Sequence, residues 1–307
     1  MTTDPMTDLA IHILLVLLMP PLLLGVIART KAAFAGRTGA PLLQPYYDLA
    51  RLFRKGMVFS DTTTWVFRAG PAITLAAVLA AALLIPLGRH DAPLSFAGDM
   101  ILFAYLFGLA RFFTIAAALD TGSAFEGMGS AREATFSCLA EPALFFTLIV
   151  LARLSGSFSL SDMLTTSLGA VWASSGASLI LLMGGLFIVL LAENCRIPFD
   201  DPNTHLELTM IHEVMVLDHS GPLFGCILYA AALKLFVLGA FFIQIALPFT
   251  TGNSLTDWGF FVSAMLLLAV VIGAVESVMA RLRMTRIPQM LLSACILTAF
   301  AVLLILR

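Results

Sequence analysis

Charge is what this sequence has least of. Asp, Glu, Lys and Arg make up only 12% of its 307 residues, while 60% are hydrophobic. A soluble domain averages about 25% charged residues, so an ordinary soluble protein and a disordered chain are both excluded. The formal net charge of −2 leaves no basic footprint for DNA or RNA. Cysteine is scarce too: Cys138, Cys195, Cys226 and Cys295 are scattered, with no CxxC pair among them. They read as small membrane-embedded hydrophobes rather than ligands of a metal or cluster. No GxGxxG, Walker A or GxSxG motif is present, so no nucleotide or acyl-transfer site is written here. Internal repeats are missing as well, which speaks against a transporter built from inverted halves.

What fills the chain is apolar runs. A helix needs about 20 largely apolar residues to cross a bilayer, and eight stretches qualify. They are residues 9–28, 69–88, 100–119, 134–152, 177–192, 223–249, 258–275 and 287–306. The runs are continuous, not alternating, so helices are expected and a barrel is not. The expectation is an all-α integral membrane protein of about eight spans, forming one membrane domain over 1–307. The leader before the first span is acidic, unlike a cleaved signal. Twelve of the seventeen basic residues fall in the loops after spans one, three, five and seven, and three on the opposite side. The positive-inside rule then puts these loops in the cytoplasm and both termini outside.

The polarity is concentrated on that side. Between spans one and two, residues 41–55 mix Leu42, Tyr46, Tyr47 and Phe53 with Asp48, Arg51, Arg54 and Lys55. This predicts an amphipathic helix at the membrane interface, either a lipid anchor or a docking surface. The loop 197–222 carries Asp200, Asp201, Glu207, Glu213 and Asp218, which suits a partner protein better than anionic lipid. His205, His212 and His219 recur every seven residues. A metal site there is disfavoured by that spacing; structural hydrogen bonding and proton relay are the readings left open.

Ionisable groups within or at the ends of spans cost about 2.5–3.5 kcal/mol each on insertion scales. Here they are Arg111, Arg132, Glu133, Glu141, Glu193, Arg196, Lys234 and Glu276. Glu141 lies two turns beyond Glu133 on a similar side of one helix. Glu193 and Arg196, three apart, are placed to pair. One reading is a chain of carboxylates and bases that moves protons through the membrane; the other is a set of static ion pairs between helices, with snorkelling for Arg132, Arg196 and Glu276.

Taken together, these segments resemble the subunit-1 family of respiratory complex I. The resemblance is carried by GRTGAPLLQPYYDLARLFRKG (residues 36–56) and by LLAENCRIPFDDP (190–202), with Glu193, Arg196, Pro198, Phe199 and Asp200 in place. Within that family the chain is similar to the membrane anchors of energy-converting nickel–iron hydrogenases, the branch of formate hydrogenlyase and hydrogenase-4. The carrying stretch is LDTGSAFEGMGSAREATFSCLAEP (119–142), with Lys234 and ESVMARLR (276–283) in support. After Asp200 it departs from the enterobacterial formate hydrogenlyase pattern, having Asn203 and His205 at two acidic positions.

The resemblance implies a non-catalytic subunit in a prokaryotic inner membrane. It would anchor a soluble redox arm and couple electron transfer to proton or sodium movement. Implied partners are the hydrogenase large and small subunits, a ferredoxin-like iron–sulfur subunit and antiporter-like membrane subunits. The nickel–iron centre and clusters would belong to those partners, with no cofactor bound by this chain. The coupling residues expected are Arg111, Arg132, Glu133, Glu141, Glu193, Arg196, Asp200, Lys234 and Glu276. The docking residues expected are Asp48, Arg51, Arg54, Lys55, Asp201, Glu207, Glu213 and Asp218. A quinone-site subunit of a complex I-like dehydrogenase and a stand-alone secondary transporter are the alternatives.

Overall fold

A computed structural model describes residues 5–165, 168–200, 210–248 and 252–306. Asp201, His205 and Glu207 lie outside the described residues. No strand forms among those described, and eight helices are long and apolar enough to cross a membrane. The helices are α1 Pro5–Phe34, α2 Gln44–Phe53, α3 Trp65–Leu84, α4 Asp99–Asp120, α5 Ala124–Ser155, α6 Leu160–Thr165, α7 Leu168–Glu193, α8 Gly221–Ala246, α9 Ser254–Val278 and α10 Ile287–Leu306. The chain is an all-α integral membrane protein. Helix α8 is the hub, packing against α1, α3, α7 and α9 and against the short α2.

Several boundaries follow from specific side chains. Helix α3 starts at Trp65, four residues before the apolar run, because the Asp120 carboxylate accepts from the backbone N–H groups of Thr64 (2.7 Å) and Phe67 (3.2 Å). This caps its first turn. Ile85 is extended, as a residue before proline prefers, and α3 stops there. Helix α5 begins ten residues earlier than the fourth apolar run. At 32 residues it is about 48 Å long, well beyond the roughly 30 Å hydrocarbon core. Its polar first turns therefore stand clear of the lipid.

Helix α1 contains the pair Pro20–Pro21, which removes the backbone donors for the carbonyls four residues earlier. In lipid such carbonyls must find another donor. The Tyr229 hydroxyl donates to Leu17 O (3.0 Å) and Val16 O (3.4 Å), and the Tyr46 hydroxyl donates to Leu18 O. Tyr229 thus serves both carbonyls that the prolines leave without a helical donor, while Tyr46, on the next carbonyl, ties α2 to α1.

At the opposite end of the bundle, Arg89 donates to Leu164 O and to Leu247 O (3.2 Å), capping the C-termini of α6 and α8. Asp8 accepts from the Trp258 indole (3.2 Å) and faces His90, whose ring stacks on Trp258 at 4.4 Å.

A buried network of carboxylates and cations as the candidate site

The ionisable residues of the spans converge on one region near the α2 end of the bundle. Arg111 projects from α4 and is 9% exposed. It bonds Glu141 of α5, donates to Glu193 Oε1 of α7 at 2.6 Å and approaches Glu133 of α5 at 3.9 Å. Lys234 of α8 reaches the other oxygen of Glu193 at 2.7 Å. One guanidinium therefore joins carboxylates from two helices, and an ammonium from a third closes the group. Arginine suits this place because its planar fork offers five donors and never loses its charge. Glu133 and Glu141 both reach Arg111, consistent with their eight-residue spacing along one helix.

A second group sits beside it. Glu276 of α9 has a fully buried side chain, held by Lys31 of α1 at 2.9 Å and by Arg196 at 3.4 Å. Asp200 is 2% exposed. It pairs with Arg281 at 2.8 Å and accepts from the backbone N–H groups of Ile211 (2.9 Å) and His212 (3.3 Å). Asp200 thus fixes the return of the loop onto the bundle.

Two cavities separate these groups. A chamber of about 700 Å³ lies between α1, α2, α8 and the loop after α7, lined by apolar side chains together with Lys31, Asp48, Arg196, Asp200, His212, Glu213, His219 and Glu276. A cavity of about 70 Å³ lies deeper, against Arg111, Glu133, Glu193 and Lys234. Asn194, Cys195 and His212 line both.

The expected pairing of Glu193 with Arg196 does not form. Helix α7 ends at Glu193 and the chain turns at Cys195, which has φ +49°, so the helical three-residue relation is lost. Arg196 is directed to Glu276 instead. Arg132 is directed to the loop: its guanidinium donates to Met210 O (2.9 Å) and meets Met128 Sδ (3.2 Å), holding the loop against α5. The seven-residue histidine spacing is not helical either. Residues 213–216 form a short 3-10 turn, and His219 stacks on Phe67 at 3.9 Å.

Of the docking residues, Arg51, Arg54, Lys55 and Asp218 are exposed. Asp48 is half-buried, accepting from Gln44 (2.9 Å) and Arg51 (3.2 Å), and Glu213 lines the chamber. Lys31 and Arg281 went unrecognised in the sequence, where they counted only as basic loop residues. The buried Glu126 was missed as well; its carboxylate accepts from the Asp218 backbone at 3.2 Å. The stretch 119–142 is now accounted for locally: Asp120 caps α3, Glu126 and Arg132 anchor the loop, and Glu133 and Glu141 enter the network.

The cysteines do not assemble. Cys138 is on α5, Cys226 on α8 and Cys295 on α10, with Cys195 after α7, and burial pushes the Cys195 thiol well up from its ordinary value. Among the described residues no group of three His, Cys, Asp or Glu is placed to hold a metal ion.

Comparison with known proteins places this arrangement. The sequence model of the NADH dehydrogenase family matches residues 7–307. The chain is 32% identical to formate hydrogenlyase subunit 4 of Escherichia coli K12 over 286 residues, which is 91% of this chain and 92% of that protein. It is 31% identical to hydrogenase-4 component C of the same organism, over 79% of this chain and 75% of that one. Its fold matches a chain of the archaeal membrane-bound sulfane sulfur reductase with a TM-score of 0.83 at 21% identity, over 97% of this chain and 99% of that one. The chain belongs to the NADH dehydrogenase family, the subunit-1 family of complex I, with relatives among formate hydrogenlyase and hydrogenase-4 membrane subunits.

Proposed function

We propose that this chain is the non-catalytic membrane subunit of an energy-converting hydrogenase-type complex, coupling redox chemistry in a soluble arm to ion movement. The observation that carries this reading is the Arg111 group, where carboxylates from α5 and α7 share one guanidinium beside a chamber at the end of the bundle. Three carboxylates on two cations leave an unbalanced charge, and in hydrocarbon that is a place where a proton is held and exchanged. The nickel–iron centre and the clusters are assigned to partner subunits, which supply the electrons.

Glu141→Gln tests this, because it keeps the shape and removes the carboxylate's charge beside Arg111. In the native complex reconstituted in vesicles, hydrogen evolution from reduced viologen should stay near the wild-type rate. Ion translocation per hydrogen should fall by about ten-fold or more, in keeping with loss of one proton-transfer group. Undiminished translocation in that variant would overturn the reading.

Orientation and docking belong to the same proposal. The α2 end faces the cytoplasm of a prokaryotic cell, by the distribution of basic residues, and takes the soluble arm. The exposed Arg51, Arg54 and Lys55 together with Asp218 form its rim. Replacing the three basic residues by Glu should strip the soluble subunits during purification in mild detergent while the membrane part stays intact. Co-purification at the wild-type stoichiometry would mean that this face only meets lipid headgroups. Asp200 is no part of that rim, being buried and bonded to Arg281.

A second reading draws on the chamber, whose mostly apolar lining with a few charged side chains is what a quinone-reducing subunit needs. Reduction of a short-chain quinone without hydrogen evolution by the purified complex would favour it.

A further inference from the structure

The chamber and the inner cavity share a wall of three polar side chains, and only one of them can carry a proton near neutral pH. Asn194 does not titrate; its amide donates to Leu190 O at 2.7 Å. Cys195 is held in the thiol form by burial. His212 remains, and it lines both spaces. Glu133 of α5 and Lys234 of α8 line the inner cavity with it, and Asp200 accepts from its backbone N–H at 3.3 Å. Burial holds its pKa below the ordinary histidine value, against the pull of Glu133, so the resting ring is neutral and has one nitrogen ready to accept.

Both sides of this wall carry one carboxylate more than they carry cations. On the inner side Glu133, Glu141 and Glu193 face Arg111 and Lys234, a surplus of one negative charge. On the chamber side Lys31, Arg196 and Arg281 hold Glu276 and Asp200, and Asp48 and Glu213 line the same chamber, so carboxylates outnumber cations there too. Glu133 is the least engaged inner carboxylate, 3.9 Å from the guanidinium where Glu193 stands at 2.6 Å. It is therefore the inner carboxylate held least tightly by a cation. The inner cavity of about 70 Å³ has room for a few waters, and Arg111 Nε and Asn194 Oδ1 are buried there with no hydrogen-bond partner among the described residues.

We propose that His212 is the proton bridge between the chamber and Glu133. One ring nitrogen takes a proton from the chamber, and the other gives up its own through water in the inner cavity to the Glu133 carboxylate, which becomes a carboxylic acid. One proton moves, no electron does, and the ring ends neutral in the other tautomer. The bridge rests on the coupling function above and deepens it by naming where the proton crosses.

The test compares the intact complex with its His212→Gln and His212→Ala forms by two readouts. The first is hydrogen–deuterium exchange at Glu133, followed by infrared spectroscopy through the carboxylic C=O band that Glu133→Gln removes; it does not require the complex to pump. The second is ion translocation per hydrogen evolved. Both variants should keep hydrogen evolution from reduced viologen. Exchange and translocation should slow by roughly a hundred-fold, and added imidazole should restore them in His212→Ala but not in His212→Gln. Wild-type exchange in His212→Gln would overturn the bridge. So would a loss in His212→Ala that imidazole leaves unrepaired, or a spectrum with no band that Glu133→Gln removes. If the wild-type complex fails to pump while exchange still depends on His212, the coupling function falls and the bridge stands; if it pumps and His212→Gln pumps equally, the bridge falls alone.

Discussion

Arg111→Met should be the most damaging single substitution in the membrane core. Methionine keeps much of the length and all of the apolar stem, so packing changes little. What disappears is the cation bonded to Glu141 and Glu193 and facing Glu133, in a site where the guanidinium is 9% exposed. Lys234 would then face three carboxylates alone. Removing one partner of a buried ion group typically costs about 3–5 kcal/mol, because the remaining charge is stranded. For a chain of this size that corresponds to a fall in Tm of roughly 10 °C, read by thermal unfolding of the purified complex. The damage should be repaired in part by adding Glu133→Gln, which removes one stranded carboxylate and leaves the Lys234–Glu193 pair at 2.7 Å untouched. A double variant no more stable than Arg111→Met would show that the guanidinium acts by shape and not by charge.

The same residue shows how far the sequence could be read. A charge inside an apolar run is costly enough to be conspicuous, which is why Arg111, Glu141, Glu193 and Lys234 stand out from composition alone. The eight spans are legible for the related reason that lipid demands a minimum apolar length. Pairing is different, because it is set by tertiary position. Glu193 finds Arg111 and Lys234 on other helices, while Arg196, three residues away, finds Glu276 more than seventy positions along the chain. The left-handed turn at Cys195 breaks the local spacing rule, and nothing in the residue names around it announces that turn. Lys31 and Arg281 look like orientation signals because they flank spans, and only the folded arrangement puts them on Glu276 and Asp200. Asp200 reads as one acid among five in a polar loop. Its role in closing that loop depends on two backbone N–H groups eleven and twelve residues on. The start of α5 was obscured for the opposite reason: its first ten residues are polar enough to interrupt an apolar run, yet polarity does not prevent a helix that stands outside the lipid.

Gly25→Ala should release α2 from the bundle, although it adds a single methyl group. Gly25 lies in α1 where the segment leading into α2 crosses it, and a Cβ built there would stand 2.0 Å from Leu42 O and 3.1 Å from Leu42 C. Both are backbone atoms, so the approach cannot be relieved by turning a side chain. The same docking is enforced from the other side by Gly221, which combines φ +55° with a Cβ position 2.5 Å from Gly56 O. Between these two contacts α2 supplies Gln44, Pro45 and Asp48 to the chamber wall and brings the Tyr46 hydroxyl to Leu18 O. Pushing Leu42 away would open that wall and pull the Tyr46 hydroxyl from Leu18 O. Overpacking of this kind costs about 1–3 kcal/mol, and it would fall on the local equilibrium by which α2 lifts from the bundle. Trypsin cleavage after Arg51, Arg54 or Lys55 is the readout, since those bonds need a loosened segment to enter a protease. Cleavage should accelerate by roughly ten-fold or more in Gly25→Ala. Gly108→Ala, at a helical position with open space around its Cβ, should cleave at the wild-type rate. Equal rates in all three proteins would mean that α2 is held by the lipid surface and not by its seat on α1.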